Sequence, residues 1–169
     1  MTALEPVAWR EPTSLLPLRW GGYRERLVIG TWCIISGSVA VAGSDTYILL
    51  LLYAGAIVNI AGWCILPSDG WRRVVAVGPS VLSSWLLLTG NPHFLVVLVM
   101  PYLGWLLVRH RPLRSYVTVI IPLGVAILLG EVLPPIGGLP LGIAIEVAAM
   151  VAGAWLARIL AQTVQTRVA

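Results

Sequence analysis

The stretch Thr46–Arg73, TYILLLLYAGAIVNIAGWCILPSDGWRR, decides the fold of this chain. Its first part, Thr46–Leu66, carries no charged side chain, and it has the length of roughly 20 apolar residues that a helix needs to cross a bilayer. Two arginines follow after a short polar turn. Because short arginine-rich loops stay on the cytoplasmic side of a membrane, this stretch is typical of a membrane-spanning helix that ends in a cytoplasmic loop.

The composition of the whole chain agrees with that interpretation. Apolar side chains make up 59% of the 169 residues, whereas charged side chains make up 11%. About a quarter of the residues of a soluble domain are charged, and the mean hydropathy of this chain is +0.92. The composition therefore excludes a soluble globule, a disordered chain and a disulfide-stapled secreted module, and it makes the lipid bilayer the expected surroundings.

The apolar pattern recurs along the chain and predicts an all-α, polytopic integral membrane protein with six transmembrane helices. We expect a cytoplasmic or interfacial N-terminal segment at 1–26, a single six-helix membrane domain at 27–161 and a cytoplasmic tail at 162–169. The fourth apolar window is short, so it must recruit flanking residues to reach both interfaces. The six windows are Leu27–Gly43, Thr46–Leu66, Val74–Gly90, Phe94–Val108, Tyr116–Leu133 and Leu141–Leu160.

The positions of the arginines predict the orientation. All eleven basic side chains are arginines, and they lie in the N-terminal segment, in 67–73, in 109–115 and near the C-terminus. Six helices with both termini in the cytoplasm place every arginine on the inner face, whereas five or seven helices would not. We therefore predict a multi-pass protein of a bacterial cell (cytoplasmic) membrane, whose arginines mark cytoplasmic loops rather than a nucleic-acid groove.

Three of the windows end alike, which suggests three helical hairpins of similar plan. The shared feature is a small residue just before a tryptophan, at Gly62-Trp63, Gly104-Trp105 and Gly153-Ala154-Trp155. Tryptophan also concentrates at membrane interfaces, so interfacial anchoring is the alternative explanation.

Motifs for cofactors and metals are not found. The sequence has no Cys-x-x-Cys, His-Glu-x-x-His, Gly-x-x-x-x-Gly-Lys or Gly-x-Ser-x-Gly pattern, the patterns that bind metals or phosphates or present a nucleophilic serine. We therefore expect neither a cofactor nor a metal site.

Glu146 is the acid that lies most clearly inside a predicted span. A charge inside a bilayer is costly, so such a residue is a candidate functional group by default. It shares a helix face with small residues at the spacing of close helix contacts, and we expect it to point into the bundle. Since no arginine lies on that side, Glu146 is neutral, paired with a protonated His93 or the seat of a bound cation. The small residues are Ala149, Gly153, Ala157 and Ala161.

Three more groups on the predicted outer side are candidates for acid–base roles beside Glu146, namely Asp45, Glu131 and His93. Each also has an ordinary structural explanation. Asp45 suits the N-cap of the second helix, Glu131 is close enough to the interface to be solvated, and His93 follows a proline in a turn.

Polar groups in the second and third windows are candidates for lining a binding site with Glu146. Pro79 and Pro122 interrupt two spans and free backbone carbonyls, and broken helices beside polar side chains are how transporters build sites at the membrane midplane. Plain helix packing is the alternative. The candidate lining residues are Asn59, Ser83, Ser84 and Trp85.

Three functions remain open from the sequence. The first is the binding or transport of a small solute, cation or proton from the extracytoplasmic side, driven by a proton gradient through Glu146 or by a separate ATPase partner. The second is a membrane-embedded enzyme that acts on a lipid or isoprenoid, with a buried acid as catalyst and Trp32 and Trp85 beside a carbocation. The third is a non-catalytic assembly or immunity subunit that binds another membrane protein.

Overall fold

The computed structural model describes residues 12–15, 20–44, 48–134 and 137–165. Within these ranges the chain is helical and has no strand, which confirms the all-α prediction. Three 3₁₀ helices are described, Pro12–Leu15, Pro92–Leu98 and Leu113–Val119. The α-helices of the same ranges are α1 (Tyr23–Ala42), α2 (Leu49–Ile65), α3 (Gly70–Leu87), α4 (Val99–Val108), α5 (Ile120–Val132) and α6 (Leu139–Gln165).

Three helical stretches are long and apolar enough to cross a membrane, Tyr23–Ala42, Leu113–Val132 and Leu139–Gln162. Two more, Leu49–Ile65 and Pro92–Val108, are apolar but shorter. Helix α3 combines two arginines with three serines, which lowers its hydropathy. The architecture is compatible with a membrane protein, and the count of six spans stays a prediction.

Prolines explain why the stretches Pro92–Val108 and Leu113–Val132 begin as 3₁₀ helices. Pro101 and Pro122 each stand third in an α-helix that follows a 3₁₀ helix of seven residues. Proline has no N–H to donate to the carbonyl four residues back, so the preceding turns tighten. Because a 3₁₀ helix rises about 2.0 Å per residue and an α-helix about 1.5 Å, Pro92–Val108 reaches about 29 Å instead of about 26 Å. The helical stretch of the short fourth window therefore begins two residues before Phe94, at Pro92, and its crossing of the whole bilayer stays a prediction.

Consecutive helices run antiparallel, which pairs them as α1/α2, α3/α4 and α5/α6. In the first two pairs, the glycine near the tryptophan of the second helix lies against the first helix, whereas Gly153 lies nearest to Tyr102 of α4. Three hairpins of similar plan therefore stay a prediction. Interfacial anchoring does not explain Trp63, which is 1% exposed, although Trp155 is 67% exposed. The three contacts are Gly62 with Gly30, Gly104 with Ala76 and Gly153 with the hydroxyl group of Tyr102.

Helices α1 and α2 approach each other backbone to backbone through four glycines. This contact is not predicted from the sequence. A Cβ on Gly37 would lie 2.5 Å from the backbone nitrogen of Asn59 and 2.6 Å from the carbonyl oxygen of Gly55. A Cβ on Gly62 would lie 2.7 Å from the carbonyl oxygen of Gly30. Such distances leave no room for a side chain, and close approach of this kind gives helices their van der Waals contact in a membrane.

The described arginines gather at one end of the bundle, here called the arginine end. Arg26 donates to the carbonyl of Ile65 at 2.9 Å, and Arg72 donates to the carbonyl of Leu107 at 2.9 Å. These carbonyls belong to the last turns of α2 and α4, where backbone acceptors lack helical partners and the helix dipole favours a cation. The arginine end comprises the start of α1, residues 65–73, residues 107–115 and the part of α6 around Arg158.

Two helices start earlier at the arginine end than the apolar windows predict. Helix α1 begins at Tyr23 instead of Leu27, and α3 begins at Gly70 instead of Val74. The windows stop at the first charged residue, but an arginine continues a helix without difficulty because its long side chain carries the charge away from the apolar surface.

Replacing Gly37 with alanine tests the crossing of α1 and α2. The added methyl group would displace the backbone of α2, so we expect Gly37→Ala to lower the free energy of unfolding by about 1–3 kcal/mol. Gly78→Ala is the matched control, because nothing lies within 4 Å of a Cβ at Gly78 and alanine is favoured in a helix. Thermal unfolding in detergent micelles, followed by circular dichroism, reports both changes. A Gly37→Ala variant as stable as the natural chain would contradict the crossing.

Candidate functional site

Glu146 lies on the buried face of α6 and has an exposed fraction of 0%. Gly153, Ala157 and Ala161 are buried on the same face, and Ala149 is half-buried. Residues four and seven apart share one face of an α-helix, so packing the small residues against neighbouring helices turns the carboxyl inward. The prediction that Glu146 points into the bundle is confirmed.

Small residues on either side of Glu146 bring α6 close to its neighbours. One turn towards the start of α6, a Cβ on Gly142 would lie 2.7 Å from the side chain of Leu95. Two turns in the other direction, a Cβ on Gly153 would lie 2.8 Å from the hydroxyl oxygen of Tyr102. Glu146 therefore stands between an apolar contact and a polar one, about 10 Å along the helix axis from the first residue of α6.

Neither carboxylate oxygen of Glu146 has a hydrogen-bond partner in the described part of the chain. His93, the predicted counter-ion, is exposed, and its Nδ1 lies 3.0 Å from the position of a Cβ on Gly130 in α5. Among the residues that the structure describes, no ion pair joins His93 to Glu146. An ionised carboxylate in this place would have neither water nor a counter-charge, a state that costs several kcal/mol.

Of the other two acids of the predicted group, Glu131 is described, and it does not join Glu146. Glu131 is exposed on α5, one residue beyond the glycine that His93 covers. Asp45 lies outside the described residues. The structure therefore brings His93 to the part of α5 that carries Glu131, and both of these side chains are exposed whereas Glu146 is buried.

Asn59 is 1% exposed and forms three hydrogen bonds within the protein. Its Nδ2 donates to Ser38 Oγ at 2.8 Å and to the carbonyl of Ile34 at 3.3 Å, and its Oδ1 accepts from Ser80 Oγ at 3.3 Å. Ser84 Oγ donates to the carbonyl of Ser80 at 3.0 Å. These bonds join α1, α2 and α3 in a polar cluster whose side-chain groups satisfy one another.

Ser83 links α3 to Pro92–Val108, the helical stretch that contains Pro101. Its hydroxyl oxygen lies 2.7 Å from the carbonyl oxygen of Pro79 and 2.8 Å from that of Val97, and its single hydrogen is shared between the two acceptors. Val97 stands four residues before Pro101, which has no N–H to offer that carbonyl. The serine therefore supplies a hydrogen bond that the proline cannot form, as broken helices in an apolar environment require.

The tryptophans that an enzyme would need beside its acid lie elsewhere. Trp85 is 47% exposed and Trp32 is 67% exposed, so both rings are on the outer surface of the bundle. Glu146 is wholly buried. The structure does not bring these aromatic faces together with the buried carboxyl.

A buried group of three hydroxyl side chains lies beside α6 and is not predicted from the sequence. The hydroxyl of Tyr102 lies 2.7 Å from Thr118 Oγ1, which donates to the carbonyl of Ser115 at 2.7 Å. Ser115 Oγ donates to the carbonyl of Ala157 at 3.0 Å. The three side chains are at most 1% exposed. The sequence features that could indicate this group are a tyrosine inside the fourth apolar window and two hydroxyl residues, three apart, at the start of the fifth.

Arg109 holds the end of α4 against the first turn of α1. Its guanidinium donates to the hydroxyl of Tyr23 and to Thr13 Oγ1, the latter at 3.4 Å. Burial, and then the neighbouring Arg111 and Arg158, lower the pKa of Arg109 to about 10. Arg109 therefore stays charged at neutral pH, and three positive charges converge at the arginine end.

In the described ranges, no three histidine, cysteine, aspartate or glutamate side chains come together as metal ligands do. Comparison of the chain with protein-family models, with curated proteins and with solved structures finds no match.

Replacing Glu146 with leucine tests whether the carboxyl lacks a partner. A buried polar group without a hydrogen bond destabilises the folded state, so we expect Glu146→Leu to raise the free energy of unfolding by about 1–3 kcal/mol. Glu131→Leu is the control, since this exposed acid should change stability by less than about 0.5 kcal/mol. The measurement is thermal unfolding in detergent micelles. A loss of stability in Glu146→Leu alone would mean that the carboxyl has a stabilising partner.

Proposed function

We propose that this protein crosses a bacterial cytoplasmic membrane six times, with both termini and the arginine end in the cytoplasm. We further propose that it binds a proton or a small cation at Glu146 and carries it across that membrane from the extracytoplasmic side. One observation carries the proposal: Glu146 is 0% exposed, and neither of its carboxylate oxygens has a hydrogen-bond partner among the described residues.

Electrostatics explains why a buried carboxylate binds a proton or a cation. A carboxylate transferred from water to a medium of low dielectric loses its hydration, and only a nearby opposite charge or several hydrogen bonds can compensate. Glu146 has neither in the described part of the chain. A proton or a cation at the carboxyl restores neutrality, which is why acids inside membrane helices mark ion and proton pathways.

The position of Glu146 suits uptake from one side and release on the other. It lies about 10 Å along α6 from the end of the bundle that is opposite the arginine end. The stretches packed against α6 include two that change from 3₁₀ to α-helix, at Val99 and at Ile120. Helices interrupted beside a buried charge are the elements from which transporters build sites and gates.

The proposed orientation rests on the positions of the arginines, and the proposed number of spans rests on the lengths of the helical stretches. The described arginines share one end of the bundle, and positive residues in short loops stay in the cytoplasm. The 3₁₀ turns give Pro92–Val108 a length of about 29 Å, close to the roughly 30 Å of a hydrocarbon core. This extension supports counting the fourth helical stretch as a span.

The decisive experiment measures ion flux through the purified, full-length chain in liposomes. The liposomes contain a dye that responds to protons, or in parallel preparations to sodium or potassium, and a valinomycin-imposed potential or a salt gradient drives the flux. We expect the natural chain and Glu131→Gln to dissipate the gradient of one of these ions. We expect Glu146→Gln to leak no faster than protein-free liposomes, because the amide keeps the shape of the side chain but cannot ionise.

Two results would overturn the proposal. The first is the absence of flux of any of these three ions above that of protein-free liposomes. The second is equal flux in the natural chain and in Glu146→Gln, which would show that the buried carboxyl takes no part. Size-exclusion chromatography of each variant confirms that the compared proteins are folded.

A further inference from the structure

A cluster of apolar side chains, here called the apolar cap, lies at the end of the bundle opposite the arginine end. Its members come from the start of Pro92–Val108, from the end of α5 and from the start of α6. They belong to one hydrophobic cluster of the core, in which Leu95 is 0% exposed. The apolar cap comprises Leu95, Leu129, Leu133, Leu139 and Ile143.

Gly142 brings the apolar cap next to Glu146. It stands one turn before Glu146 on the same buried face of α6. A Cβ at Gly142 would lie 2.7 Å from Cδ1 of Leu95 and 2.8 Å from Cδ1 of Leu133. The ends of the two leucines therefore meet on Gly142, and they cover the face of α6 that leads from this end of the bundle to the carboxyl.

The barrier on this side of Glu146 is the shorter of the two. Glu146 is seven residues from Leu139, the first residue of α6, and twelve residues from Arg158 at the arginine end. These separations correspond to about 10 Å and about 18 Å along the helix axis. An opening of the apolar cap would therefore expose Glu146 with a smaller rearrangement than an opening at the arginine end.

The apolar cap is also the barrier with the weaker links between helices. On the arginine side of Glu146, Ser115 Oγ donates to the carbonyl of Ala157 at 3.0 Å and so ties α6 to its neighbour. In the described ranges, no hydrogen bond joins the members of the apolar cap from one element to another. Only van der Waals contact holds them together, and its individual atom pairs are weak.

Leu95 lies on a backbone segment that can change shape at low cost. It belongs to the 3₁₀ helix Pro92–Leu98, which has seven residues. Such helices are seldom longer than about three or four residues, because their hydrogen-bond geometry is poorer than that of an α-helix. A displacement of Leu95 therefore breaks weaker backbone bonds than a displacement of an α-helical residue would.

We propose that the apolar cap is the gate of the Glu146 site, and that Leu95 and Leu133 move away from Gly142 when an ion enters or leaves at this end of the bundle. Apolar constrictions stop ions because they exclude water. With the cap closed, Glu146 is shut off from the solution, in agreement with its exposed fraction of 0%. This inference rests on the proposed function of Glu146, and it adds the element that opens.

The first test measures how fast a charged thiol reagent modifies the variant Glu146→Cys in detergent micelles, where both ends of the bundle meet the solution. The full-length chain is used, with Cys33 and Cys64 replaced by serine. Adding Leu95→Ala should speed the modification at least about tenfold, because truncating a buried leucine destabilises the closed packing by more than that factor. Leu106→Ala is the matched control, because it truncates a leucine that is 1% exposed on the arginine side of Glu146, and it should leave the rate unchanged.

The second test locks the apolar cap in the liposome assay. In the double variant Leu95→Cys, Gly142→Cys, the shortened residue 95 makes room for the new side chain, and copper phenanthroline should join the two thiols. Oxidation should lower the ion flux to that of protein-free liposomes, and dithiothreitol should restore it. Leu95→Cys with Leu141→Cys is the control, because Leu141 is 58% exposed on another face of α6, and oxidation should not change its flux.

The outcomes distinguish this inference from the proposed function. Equal modification rates in the Leu95→Ala and Leu106→Ala chains would overturn the gate, and so would ion flux that persists after the thiols at 95 and 142 are joined. Either result leaves the role of Glu146 intact if Glu146→Gln still abolishes the flux. A natural chain that carries none of the three ions would overturn the proposed function, and the gate for ions with it, even if Leu95→Ala exposes position 146.

Discussion

A polar group buried among apolar helices must find a partner, and this constraint accounts for the side-chain hydrogen bonds that join the helices of the bundle. Arg26 donates to an end carbonyl of α2, Ser83 donates to a carbonyl that Pro101 cannot reach, and Asn59 satisfies both ends of its amide. Glu146 is an exception, because neither of its carboxylate oxygens has a hydrogen-bond partner among the described residues. The indole N–H of Trp63 also lacks a partner among the described residues, but it is a neutral donor and its burial costs far less than that of a charge.

The two halves of the bundle differ in how their helices meet. Helices α1 and α2 touch through backbone atoms at Gly37 and Gly62, a contact that leaves no freedom to slide. The stretches that pack on α6 are instead interrupted, since each changes from 3₁₀ to α-helix just before a proline. The acid thus lies beside the helices whose backbone bonding is least regular, which is where a change of shape costs least.

Much of this arrangement is predictable from the sequence because it follows from composition and periodicity. Apolar windows indicate helices, and the spacing of Gly153 and Ala157 places Glu146 on a contact face. The crossing of α1 and α2 is harder to predict, because glycines seven apart define a close contact only when the partner helix has a matching pair. The hydrogen bonds of Tyr102, Thr118 and Ser115 depend on the meeting of three separate stretches, the third being α6 through the carbonyl of Ala157, and no single window contains that information. Glu131 is an acid near the end of an apolar window, as Glu146 is, yet it is exposed whereas Glu146 is buried, because residue type alone does not determine burial.

The state of the Glu146 carboxyl is the central claim, and infrared difference spectroscopy measures it directly. The sample is the reconstituted protein in choline buffer at neutral pH, where no metal cation compensates the charge. We predict that subtracting the spectrum of Glu146→Gln from that of the natural chain leaves the C=O stretching band of a protonated carboxyl group, and that this band shifts in D₂O. The paired bands of an ionised carboxylate in that difference spectrum would contradict the account, because they would mean that Glu146 has water or a counter-charge beside it.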